Sequence, residues 1–124
     1  METVVELFDA IRTKFPIISL RADALHARFF EEMTPSSAYS WFESLANALN
    51  EEMVKEVPAS IHAPLLKYIS GVFGTAGLKI RECIDVAFVE NLFWQVPSNK
   101  CQPYWQQLPE DLRKLYRNFH QREP

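Results

Sequence analysis

Asp85, Glu90 and Asn91 stand inside the most apolar run of the chain, IDVAFVENLFWQVP at residues 84–97. A carboxylate held in apolar surroundings can keep a proton to higher pH, and a pair of carboxylates can divide acid and base roles. Catalysis needs more than one such group: an acid with a base, or a nucleophile beside its base. No second residue stands at a recognisable spacing. His26, His62 and His120 lack a Cys or His at metal-ligand spacing, so no metal is expected. The segment HARFFEE is not HExxH, and no GxxxxGK[ST], GxGxxG or GxSxG is present. No cofactor is therefore expected. Cys83 falls among apolar helical neighbours, which suits an inert thiol. Glu90 and Asn91 then read as structural buried polar residues, and the chain as a non-enzyme. A buried carboxylate costs roughly several kcal/mol unless paired. Glu90 should have a partner: an Arg, His62, or free amides at a neighbouring helix start. The rival reading is an enzyme built around Glu90 with His62 or Asp85, requiring an open pocket there and a raised carboxylate pKa.

The elements that position these residues read as helices. Thr3 and Glu6 have capping-box spacing, and Val4, Leu7, Phe8, Ile11 and Phe15 recur at three and four before Pro16. A second helix is expected from about Ser19 to Met33. Thr34-Pro35-Ser36-Ser37 breaks the chain and caps a long third helix, whose buried side carries Trp41, Leu45, Ala48, Leu49 and Met53, with Phe42 and Ala46 at the edge. A fourth helix follows Pro58. A fifth runs from about Leu78 to Gln95. At 100° steps its apolar face spreads all round, so it should be central, with Glu90 and Asn91 at least partly buried. PSNKCQP reads as a connector, YWQQL as a short turn, and PEDLRKLYRNFH as the last helix. Three glycines are too few for a turn-rich β fold. The expectation is one all-α domain over residues 1–124: a compact bundle of five or six helices, with armadillo-like stacked hairpins as the close variant.

Charge bounds the partners. The net charge is −3, and residues 31–56 hold six Glu against the single Lys55. Such a face repels phosphate, so nucleic acid is not an expected ligand. It would attract a basic protein, although a solvated helix face explains the same pattern. No run approaches a membrane span, and the acid-bearing N-terminus METVVELFDAIRTKF is not a signal peptide. Two cysteines without CxxC read as reduced thiols of a cytoplasmic protein. Trp94, Tyr104 and Trp105 flank a proline-bearing loop and suit either an interface or a small core.

VELFDAIRTKFP near the start and IDVAFVENLFW after a long helical middle resemble a family of small all-helical, largely uncharacterised bacterial proteins. Its late helix has a V-x-F-x-E-x-L-like core, here Val86, Phe88, Glu90 and Leu92. Residues 17–55 do not share in the resemblance. Some members resemble immunity proteins of polymorphic or contact-dependent toxin systems. The resemblance implies occlusion of a cognate toxin, basic and of nuclease type if charge is the guide. Glu31, Glu32, Glu51, Glu52 and Glu56 are the expected acidic contacts, with Trp105 as the aromatic one. The alternative is a helical adaptor or scaffold domain that joins a larger assembly through Trp94, Tyr104 and Trp105.

Overall fold

The structure is a computed structural model that describes residues 1–26 and 35–124. Its described elements are helical: α1 (Val4–Lys14), α2 (Pro16–Leu25), α3 (Pro35–Val54), α4 (Ala63–Thr75), α5 (Leu78–Glu82), α6 (Ser98–Gln107) and α7 (Glu110–His120). A short 3-10 turn, Ala59–Ile61, precedes α4. After α5 the chain continues as a π-helical segment, Cys83–Phe88, and a 3-10 turn, Val89–Asn91.

The first helix starts as its sequence dictates. The amide of Glu6 donates to Thr3 Oγ1 at 3.1 Å. A single residue, Phe15, separates α1 from α2, because Pro16 occupies the first turn of α2, where its missing N–H costs nothing. Asp23 then pins three helices together. It pairs with Arg12 of α1 and accepts from Trp41 Nε1 of α3 at 2.8 Å.

α3 is the hub. It packs against α1, α2, α6, the π-helical segment and the 3-10 turn after it. Trp41, Leu45, Ala48, Leu49 and Met53 are buried, and so are Phe42 and Ala46, which the wheel had placed at the edge. Phe8 and Phe42 both meet Trp41 edge-on, at 4.9 and 5.3 Å between ring centres. Cys83, Ile84, Ala87, Phe88 and Val89 close the core from the other side, so residues 83–89 are central as expected.

Three expectations are corrected. Seven α-helices are described instead of five or six, and no armadillo-like stacking is supported. The fifth helix is not continuous to Gln95. A π turn takes in an extra residue, which rotates everything after it about the axis, so a wheel drawn at constant steps loses phase beyond residue 88. The connector PSNKCQP is the start of α6, with Pro103 inside the helix. Among the described residues no helix is long and apolar enough to cross a membrane.

Candidate functional site

The side chains expected to carry function divide by burial. Glu51 and Glu56 are exposed. Glu31 and Glu32 lie outside the described residues. Glu52 is 6% exposed, and its Oε1 lies 3.2 Å from His62 Nε2 and 3.8 Å from Arg21 Nε. It joins α2, α3 and the turn before α4, so it is a packing residue and not a surface contact. Trp105 is 5% exposed, wedged edge-on against Phe93 and Tyr116. Arg113 and Arg117 lie over its ring. Trp105 therefore belongs to the core, and the aromatic contact expected there is not available. Tyr104 is buried as well, its hydroxyl donating to Val57 O at 2.7 Å. Burial, and then the charge of Glu52, pushes that hydroxyl up to about 12.

Glu90 and Asn91 are half-buried. Asn91 Nδ2 donates to Ala87 O at 2.8 Å, a local bond within the distorted helix. His120 Nε2 meets the backbone carbonyl of Glu90 at 3.1 Å, not its carboxylate. Among the described residues no ion pair reaches that carboxylate, so the expected partner is not found. The phase change after Phe88 gives the physical reason. It leaves Glu90 partly in solvent, where a charge needs no partner. Burial and then the nearby charge of Asp85 still raise its pKa above the ordinary value. His62, the proposed catalytic companion, is occupied with Glu52 instead. Cys83 and Cys101 are both free and buried, and burial followed by Glu43 pushes the Cys83 thiol up to about 12. Among the described residues no group of three or more His, Cys, Asp or Glu could hold a metal.

The site that the structure does build lies along α3. A groove of about 830 Å³ runs over Ser40, Glu43, Ser44, Asn47, Glu51 and Lys55. Their spacing of three and four places them on one face. Leu25 and His26 form one wall, and Trp94, Gln95 and Val96 the other. The second wall is held by Asn50, which is 5% exposed. Its Nδ2 donates to Asn91 O at 2.9 Å and its Oδ1 accepts from Phe93 N at 2.7 Å. One side chain thus grips the backbone as a neighbouring strand would. The grip is needed, because Phe93 and Gln95 have φ of 68° and 56°. Side-chain-bearing residues adopt that region at a cost, and the surroundings must hold them there. Phe93 turns inward onto Trp105 and Tyr116, while Trp94 between the two strained residues stands 62% exposed.

Residues 8–122 match the family described as Domain of unknown function (DUF7674). The chain belongs to that family. The DUF7674 match spans the whole groove, Asn50 and the loop that carries Trp94. It supports the uncharacterised family that the sequence resembles, and nothing in it refers to immunity proteins. No curated protein and no solved structure matches the chain.

The Trp94 loop was missed as a device in the sequence. FW and YW look alike there, and only packing separates the exposed Trp94 from the buried Trp105. Asn50 carried a faint signal, an amide four residues from Ala46 on an otherwise buried helix side.

Proposed function

We propose that this DUF7674 chain is a cytoplasmic, non-catalytic binding protein of the immunity type. It would neutralise a cognate basic toxin, a nuclease being the kind that charge favours, by covering its active site or a necessary surface. The mechanism is steric and electrostatic occlusion with no turnover. The observation that carries this reading is the Asn50-held loop, which sets an exposed Trp94 above the groove on α3. Strain of this kind persists where the surroundings enforce it and tends to collect at binding sites. An exposed Trp beside unpaired carboxylates has the composition of an interface anchor. Glu51 and Glu56 remain the proposed acidic contacts, with Glu31 and Glu32 kept on sequence grounds. Trp94 takes the aromatic role expected of Trp105.

The second reading is a helical adaptor in a larger assembly. Ile17 and Leu20 on α2 favour it, since they are 77% and 66% exposed. Affinity capture from the native lysate separates the two, with the parent chain and a Trp94→Ala, Glu51→Lys variant as baits. One basic chain at one-to-one stoichiometry, lost with the variant, is the expected result. Several subunits of one assembly would favour the adaptor. Equal recovery of the same chain by both baits would overturn the α3 face as the site.

A further inference from the structure

The geometry points to the groove on α3 as the seat of an extended cationic segment of a protein partner, with an arginine or lysine side chain of that segment lying on the Trp94 ring between Glu43 and Glu51. This rests on the binding reading above and names the chemistry it recognises.

The groove is mixed: Leu25, Val54, Trp94 and Val96 line it beside a polar floor, which suits a side chain with an apolar stem and a charged head better than a wholly apolar occupant. Ser40, Glu43, Ser44, Asn47 and Glu51 present hydroxyls, amides and carboxylates, and covering them with hydrocarbon would strip their hydration without return. The floor favours a cation. Glu43 and Glu51 are exposed, and among the described residues neither forms an ion pair. Lys55 is the one lysine lining the groove, a turn beyond Glu51. The wall adds the second half of the recognition. Trp is the best aromatic acceptor for a guanidinium or ammonium group, and 62% of Trp94 is open to solvent. The length fits a peptide. From Ser40 to Val54 the helix rises about 21 Å, the span of about six extended residues. Arginine suits the site better than lysine, because its planar group can stack on the indole while its edge donates to a carboxylate.

The test is a titration of the full chain with an acetylated, amidated hexa-arginine peptide, followed by two-dimensional NMR at low and moderate salt. The expected result is shifts at the Trp94 indole N–H and at the amides of Glu43, Asn47 and Glu51. Affinity should fall about tenfold in Trp94→Ala and again in Glu43→Gln, Glu51→Gln. All three side chains are exposed, so melting temperatures near the parent's should certify both variants as folded. Absence of binding would overturn the inference. So would shifts spread over the molecule without Trp94, or an affinity unchanged by either variant. Self-association that disappears in Trp94→Ala would overturn it too, since a second copy would then be the occupant. If the peptide fails while lysate capture still depends on Trp94, the cationic inference falls and the binding reading stands.

Discussion

Glu90 and Trp105 show how a residue's role depends on where a neighbouring turn leaves it. Burial and Asp85 raise the pKa of Glu90 above its ordinary 4.5. The folded chain therefore holds that proton to higher pH than the unfolded chain, so the neutral acid favours folding. That contribution is complete below the ordinary value and is lost as pH rises through the folded one. Glu90→Gln mimics the neutral form. It should be more stable than the parent at pH 7 and indistinguishable from it at pH 3, as read by urea denaturation at both pH values. Trp105 is a different case. It meets Phe93 and Tyr116 at 5.8 and 5.5 Å, so Trp105→Ala should cost about 3–5 kcal/mol. A melting temperature close to the parent's would show that the ring is not core.

At the scale of elements, the end of α3 is informative. Val57 N donates to Glu52 O, and Glu56 N to Met53 O, both at 3.0 Å. This is the Schellman pattern, in which the residue at the left-handed position is usually glycine. Here it is Glu56, with φ of 60°. Glu56→Gly should raise stability by about 1 kcal/mol, because strain is relieved and an acid is removed from the negative end of the helix dipole. Chemical denaturation of the variant measures this directly, and a loss of stability would show that the Glu56 side chain contributes to the fold. Helix identity was largely legible in the sequence. The capping residues at Thr3 and Glu6, the stripe on α1 and the acidic first turn of α7 are local features, and local features survive folding. The break after Phe88 was not legible. It falls where the segment Cys83–Phe88 packs against α3 in the core, a long-range contact that no residue-by-residue propensity contains.

At the scale of the molecule, the Arg21–Glu52–His62 group ties together segments far apart in the chain. Both side chains of its inner pair are 8% exposed. Removing His62 takes the close hydrogen-bond partner from a buried carboxylate and leaves it only Arg21, 3.8 Å away, at a cost of about 1–3 kcal/mol. His62→Leu should fall in that range, and the double variant Glu52→Leu, His62→Leu should recover most of the loss. Urea denaturation of the two variants checks it, and additive losses would show that the pair is not coupled. The sequence by itself determined the helical class, the capping and apolar stripes, and the surplus of acids between residues 31 and 56, because each depends on neighbours within a few positions. Only the tertiary structure decided which acids are used up inside and which remain outside. Glu52 went to His62 because two helices and a turn converge there. Asn50, forty-one residues from Asn91 in sequence, holds the backbone just before the exposed Trp94, while Trp105 packs inward on Phe93 and Tyr116. Contacts across such separations are set by the packing of the whole core, and no local pattern of residue types encodes them.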